Sequence, residues 1–404
     1  MNQEHPDHRI LLVLAGVLLG SPSAAAPEAP AASKDDDPAE YPEIALPAPT
    51  GTHQVGTRRF VLVDSEREET YSTETGDPRE LLVQFWYPSA KGQRSVVPYM
   101  DDATAGVWVD RHGFPEGFHR RVRTHAAENA PMVDAGDLPL LLFSHGLSWP
   151  ALMYQAFFEE LASHGYAVAA VNHTFGSDMV VFPDGRSFGF GLWGEPEPDE
   201  VLRNERLADH LVVWVEDLRF VLDEISERRD SGEPFYSRLD LSRTGAFGHS
   251  YGGTAVARLL ATDPRVRAAA AMEGLVYRVE ERPLALARPF MYLLAAYNTA
   301  EASGSQYRTR DAPYYEVAIR GIFHSSFSDL IYLHLPIADR AWRERNRYLI
   351  DPERGLRLVE HYLVAFFDRF LRGTDSALLH PWDPVVPGSS RTAGLPEVEL
   401  RIDY

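Results

Sequence analysis

The sequence predicts an α/β fold, a mostly parallel, doubly wound sheet with helices on both faces, and three observations carry that prediction. Residues 138–143 (LPLLLF) and 166–171 (YAVAAV) are nearly continuous apolar runs, as expected of parallel strands covered on both faces. Between them, Tyr154, Phe157, Phe158 and Leu161 fall at i, i+3, i+4 and i+7 on one helix face that Gly165 can terminate, which makes a β-α-β unit. Strand and helix patterns then keep alternating to the end of the chain.

Taken in order, residues 59–63 and 81–87 read as short edge strands rich in Val, Phe, Trp and Tyr. Leu207, Leu211, Trp214, Leu218, Val221 and Ile225 repeat at steps of four and three and mark a long amphipathic helix before a strand near 244–247. Residues 266–272, 290–297 and 315–319 supply three further strands, and Val359, Leu363, Phe366 and Phe370 a closing helix. The sheet is therefore expected to be doubly wound with antiparallel strands at its start. The last thirty or so residues, with Pro381, Pro384 and Pro387, read as a loop or surface-bound tail.

Of 404 residues, 45% are apolar and 24% charged, a balance that favours a folded chain over a disordered one. The net charge of −20 repels phosphate backbones, so no nucleic-acid partner is expected. Residues 10–20 (ILLVLAGVLLG) follow Arg9 and precede a run of small residues, so residues 1–26 read as a signal peptide for a secreted or periplasmic protein. The Ala- and Pro-rich residues 27–52 read as a linker, and 53–404 as one folded domain. With no Cys in the chain, thiolate metal sites, Cys nucleophiles and disulfides are excluded; no H-E-x-x-H pair occurs either, and no metal or other cofactor is expected.

The sharpest feature is Gly248-His249-Ser250-Tyr251-Gly252-Gly253, a G-x-S-x-G placed between a strand and a helix-compatible segment. In such a nucleophile elbow the Ser stands on a strained turn at the top of an α/β-hydrolase sheet, with its Oγ clear of neighbours. A Ser hydroxyl needs a base, and in this fold nucleophile, acid and His follow in that chain order. Of His324, His334, His361 and His380, His324 alone follows an apolar strand closely, at the turn after Gly321. The acid that orients it is Glu273 or Glu301, since both follow strands. The oxyanion donors fall to the backbone N–H groups of Tyr251, next to the nucleophile, and Leu147, in the loop after the strongest early strand. His145 in that loop reads as a structural hydrogen-bonding residue, and Trp149 and Phe323 flank the site as acyl-pocket candidates.

Four segments, 143–173 (FSHGLSWPALMYQAFFEELASHGYAVAAVNH), 248–260 (GHSYGGTAVARLL), 269–274 (AAAMEG) and 318–330 (AIRGIFHSSFSDL), resemble the platelet-activating factor acetylhydrolase family of the lipoprotein-associated phospholipase A2 type. The resemblance implies a calcium-independent Ser hydrolase that removes short acyl chains from phospholipids, with transient lipid-surface contact and no obligate protein partner. It puts Ser250, Glu273 and His324 in the triad positions, and Leu147 and Tyr251 in those of the oxyanion donors. The family pattern has Asp where this chain has Glu273, and residues 179–198 form an unmatched insertion expected to border the acyl pocket. The same triad would also serve a secreted polyester or small-ester hydrolase of the cutinase or dienelactone-hydrolase kind, and a non-catalytic scaffold is the reading from outside enzymes.

Overall fold

A computed structural model describes residues 41–404 except 73, 91–95, 135, 192–199, 275–283, 296–306, 310–311, 381–394 and 404. The expected signal peptide and most of the linker, like Glu301 and Pro381, lie outside the described residues. The main sheet has twelve strands among the described residues. In chain order these are β1 (Ile44–Ala45), β2 (Gln54–Glu68), β3 (Pro78–Ser89), β4 (Val96–Pro98), β5 (Val122–Glu128), β6 (Leu138–Ser144) and β7 (Ala167–Asn172). A separate hairpin, β8 (Met179–Val181) and β9 (Ser187–Gly189), precedes β10 (Leu239–His249) and β11 (Val266–Met272). A small parallel pair, β12 (Leu284–Leu286) and β14 (Tyr307–Thr309), surrounds β13 (Phe290–Ala295) in the chain, and β15 (Tyr314–Ile319) and β16 (Val398–Asp403) end the series.

The strand order is β1-β5-β2-β3-β7-β6-β10-β11-β13-β15-β16, with β4 beside β5. From β7 to β15 every neighbour is parallel. β2, β3 and β7 pair antiparallel, as β15 and β16 do. The helices are α1 (Asp102–His112), α2 (Gln155–Ser163), α3 (Glu200–Asp230), α4 (Tyr251–Thr262), α5 (Leu330–His334), α6 (Arg340–Arg345) and α7 (Pro352–Phe367).

The apolar runs explain this layering. In β6, Leu141 and Phe143 pack with α2 and α7 on one face, whereas Leu138, Leu140 and Leu142 pack with α3 and α4 on the other. Alternate residues of a strand point to opposite faces, so a strand buried on both sides must be apolar throughout. α7 starts at Asp351, whose carboxylate accepts the Arg354 N–H, with Pro352 in the first turn where its missing N–H costs nothing. The first N–H groups of α2, on Gln155 and Ala156, are instead taken by the distant carboxylate of Asp329, at 2.9 and 3.3 Å.

Three expectations are corrected. The packed chain includes residues upstream of 53: Tyr41 is buried and its hydroxyl donates to the Leu333 carbonyl at 2.7 Å, and β1 joins the sheet beside β5. The strand read as an edge at 81–87 is interior, because β3 lies between β2 and β7, whereas residues 59–63 pair with β3 alone, since β5 reaches β2 only at Val55–Thr57. The C-terminal residues are not all tail, since β16 closes the sheet against β15 with Val398 and Leu400 fully buried.

Candidate active site

The C-terminal ends of β6, β10, β11 and β15 bring the predicted site residues to one edge of the sheet, where parallel α/β sheets hold their ligands. β10 ends at His249 and α4 begins at Tyr251, leaving Ser250 on the turn at φ 53° and ψ −120°. That left-handed φ is one L-residues avoid, and it is held by the Ser250 N–H donating to the Met272 carbonyl at 2.8 Å. The close approach of the loop after β6 requires glycine beside it: a Cβ on Gly252 would lie 2.2 Å from the Ser144 carbonyl oxygen.

Glu273 follows β11 directly, also at positive φ, 46°. Its N–H donates to the Leu293 carbonyl at 2.8 Å, and its Oε1 accepts the Ala295 N–H at 2.7 Å, so β13 fixes both its backbone and its carboxylate. The other oxygen, Oε2, stands 2.8 Å from His324 Nδ1. Nδ1 thus carries the proton, and Nε2 is the nitrogen left with a lone pair. Glu273 is buried while His324 is half-buried at the start of a short 3₁₀ turn, beyond β15. The rings of His324 and His249 are 4.4 Å apart, which ties the His loop to the elbow. The Ser250 Oγ is shielded from solvent and makes no hydrogen bond among the described residues. In unliganded serine hydrolases the Ser–His bond is often long and tightens when substrate binds.

The loop after β6 lies against the elbow: a Cβ on Gly146 would be 3.6 Å from the Cβ of Ser250. Within that loop the N–H of Gly146 donates to Tyr154 Oη at 3.1 Å, that of Ser148 to the Gly176 carbonyl at 2.9 Å and that of Trp149 to the Gly146 carbonyl at 3.1 Å. The Leu147 N–H has no such acceptor among the described residues. Tyr251 directly follows Ser250 and is the first residue of α4. Two predicted oxyanion donors therefore meet at the nucleophile turn. The Trp149 ring is half-buried, 5.6 Å from that of His249; Phe323 is half-buried next to His324.

The rival histidines are placed elsewhere. His334 packs against Phe114 and Trp342, His361 sits on α7 with burial lowering its pKa, and His380 pairs with Asp375 at 2.7 Å. His145, read as structural, donates from Nδ1 to the Gly146 carbonyl at 2.8 Å and accepts the His173 N–H on Nε2 at 3.1 Å. Burial, then neighbouring His173, lowers its pKa well below the usual histidine range.

Tyr154 was read only as one position of an apolar helix face. Its hydroxyl accepts from Gly146 and donates to His249 Nδ1 at 2.8 Å, joining oxyanion loop to elbow. Burial, then neighbouring His324, lowers the pKa of His249 well below the usual histidine range. The signal in the sequence was a hydroxyl on an otherwise apolar stripe just after the proposed oxyanion loop.

The profile of the family "Platelet-activating factor acetylhydrolase, isoform II" matches residues 39–182 and 231–389, well over half of the chain. The chain belongs to this family. Among curated relatives, the platelet-activating factor acetylhydrolase of Bos taurus is 28% identical over 351 residues, covering 76% of this chain and 75% of its own. That of Cavia porcellus is 26% identical over 305 residues, with 69% of this chain and 67% of its own covered. A solved ferulic acid esterase from Streptomyces cinnamoneus is similar at TM-score 0.72 and 27% identity, over 88% of this chain and 98% of its own. That likeness shows the α/β-hydrolase fold. As a member of the acetylhydrolase family, the chain departs from the profile at residues 183–230, a longer stretch than the expected 179–198, and one that takes in all of α3. The chain entering it is bridged to the oxyanion loop between Ser148 and Ser177.

Proposed function

We propose that this acetylhydrolase-family member is a serine carboxylic-ester hydrolase that releases short acyl chains from phospholipids, with Ser250 as nucleophile. The observation that carries the reading is the 2.8 Å pairing of Glu273 with His324 Nδ1 at the strand ends beside the Ser250 turn. His324 Nε2 takes the proton of Ser250 Oγ as Oγ bonds to the ester carbonyl carbon, and Glu273 stabilises the imidazolium. The oxyanion is met by the N–H groups of Leu147 and Tyr251. Collapse breaks the ester C–O bond, and the departing alkoxide takes the proton from His324. Water, deprotonated by the same nitrogen, then hydrolyses the acyl-enzyme and frees Ser250.

The names of the curated relatives support the phospholipid substrate, and Trp149 at the mouth of the site supplies an apolar wall for a short acyl chain. The small-ester alternative keeps one supporting observation, the likeness to the ferulic acid esterase. Export rests on the apolar run at 10–20. A fluorophosphonate should form one covalent adduct, located by peptide mass spectrometry on Ser250. Ser250→Ala should abolish the adduct and lower turnover by about 10³-fold or more with the melting temperature kept. A variant that retains a tenth of the activity would contradict the assignment.

A further inference from the structure

Beneath the oxyanion loop lies a second chain of Ser, His and Asp, closed to solvent. Ser144 ends β6, and its Oγ is 2.9 Å from His173 Nε2; His173 Nδ1 is 2.9 Å from Asp217 Oδ2. All three are fully buried. Arg79 grips Asp217 through two hydrogen bonds, Nε to Oδ1 at 3.1 Å and Nη2 to Oδ2 at 2.6 Å. Trp214 stacks on the His173 ring at 4.0 Å and 9°.

The charge states follow from these neighbours. Burial lowers the pKa of His173, against the pull of Asp217, so the imidazole is neutral. Burial alone would raise Asp217, but Arg79 and His173 hold it far below the usual carboxylate range. Nδ1–H therefore donates to Asp217, and Nε2 accepts the hydroxyl proton of Ser144. With no route for substrate, this is no second nucleophile.

What the chain holds is the peptide that presents Leu147. The backbone N–H of His173 fixes His145 Nε2, and His145 Nδ1–H in turn grips the Gly146 carbonyl, which also accepts from Trp149. A trans peptide is planar, so its C=O and N–H point in opposite directions. Gripping the Gly146 oxygen thus sets the direction of the Leu147 N–H in the same peptide unit.

We infer that Asp217, His173 and Ser144, acting through His145, form a positioning relay that aims the Leu147 N–H at the developing oxyanion. Asp217 lies on α3, inside the stretch that the family profile leaves unmatched, so the anchor comes from outside the matched residues. The inference rests on the proposed role of Leu147 as oxyanion donor.

The test compares Ser144→Ala, His145→Ala and His145→Asn with the wild type, using a soluble p-nitrophenyl ester and a trifluoromethyl ketone that mimics the tetrahedral adduct. Ser144→Ala and His145→Ala should each lower kcat fivefold or more with KM within twofold, and weaken the ketone in proportion. His145→Asn, whose amide N–H overlays Nδ1 but which lacks the Nε2 that accepts the His173 N–H, should raise kcat above that of His145→Ala and leave it at least threefold below wild type, and full recovery would show that the link to His173 is not needed. Ser144→Ala removes a single buried oxygen and carries the test if His145→Ala does not fold. In either alanine variant, a kcat within fivefold of wild type, a loss confined to KM, or an unchanged ketone affinity would overturn the relay. Absence of a phosphonate adduct on wild-type Ser250 would instead overturn the nucleophile assignment; an adduct with Ser144→Ala unimpaired removes the relay alone.

Discussion

At Ser250 and Glu273 the backbone is held at φ 53° and 46°, each a conformation that costs a non-glycine residue about 1 kcal/mol or more. Neighbouring strands offset that strain through the bonds to Met272 and Leu293. Glu273 does more than carry charge, since one oxygen is committed to Ala295 and the other to His324. In Glu273→Gln the amide oxygen still accepts from Ala295, which turns the NH₂ toward Nδ1 and moves the ring proton to Nε2, where it blocks proton abstraction. We expect kcat to fall by roughly 10² to 10⁴ with the melting temperature within a few degrees of wild type. Steady-state kinetics and thermal melts check this, and a loss under fivefold would argue against the role. Ser250 and His324 could be proposed from the elbow and from position after a strand, but the residues alone left Glu273 and Glu301 both open. Only the placement of Glu273 against β13, which no periodicity encodes, shows how it reaches His324. Asp217 was hidden differently: three residues after Trp214 and four before Val221, it occupies the apolar stripe of α3, a charged residue where the pattern calls for a hydrophobe.

Elements carry a second kind of polar burial. On α7, burial pushes Glu360 up to about 8 despite Arg357, and burial likewise raises Asp329, at the start of α2, to about 7. A carboxyl whose folded pKa lies above its unfolded value binds its proton more tightly when folded, so it favours the fold at low pH. That contribution is lost as pH rises from the ordinary value of 4.5 through about 8 for Glu360. Glu360→Gln, which cannot ionise, should therefore shrink the drop in melting temperature between pH 6 and pH 9 by several degrees. An identical drop in the two proteins would show that Glu360 does not titrate in that window. At the sheet edge, truncation before residue 395 should cost about 3 to 6 kcal/mol, because it exposes the surfaces covered by Val398 and Leu400 and leaves the outer edge of β15 unpaired. Denaturant unfolding measures it; stability within 1 kcal/mol of the full chain would show that β16 is dispensable. Helices α2, α3, α4 and α7 and the parallel strands from β6 to β15 in the main sheet were legible from their apolar patterns, whereas α1, α5 and α6 carry no comparable period. β16 was not legible, since six residues of V-E-L-R-I-D after a Pro-rich stretch give too short an alternation to outweigh the tail composition.

On the scale of the whole molecule, strands adjacent in the sheet but distant in the chain each contribute one part of the site at their C-terminal ends. The order of β6, β10 and β11 puts the oxyanion loop, Ser250 and Glu273 side by side, and His324 reaches in from β15. α/β topology therefore made the site readable from a linear sequence, since it places the residues after parallel strands on one edge. The interior position of β3 was not readable, because a short antiparallel strand rich in aromatics looks the same at an edge as in the middle. The Ser148 to Ser177 bridge ties the loop after β6 to the segment that leads into the stretch the family profile leaves unmatched. The most direct test is the rate of hydrolysis of a 2-acetyl ether phospholipid against its long-chain counterpart, a p-nitrophenyl ester and a soluble aliphatic polyester, each with and without Ser250→Ala. The account predicts that the acetyl phospholipid is the preferred substrate and that the substitution removes its hydrolysis. Cleavage of only the simple ester and the polyester, abolished by the same substitution, would leave the triad standing and contradict the phospholipid substrate.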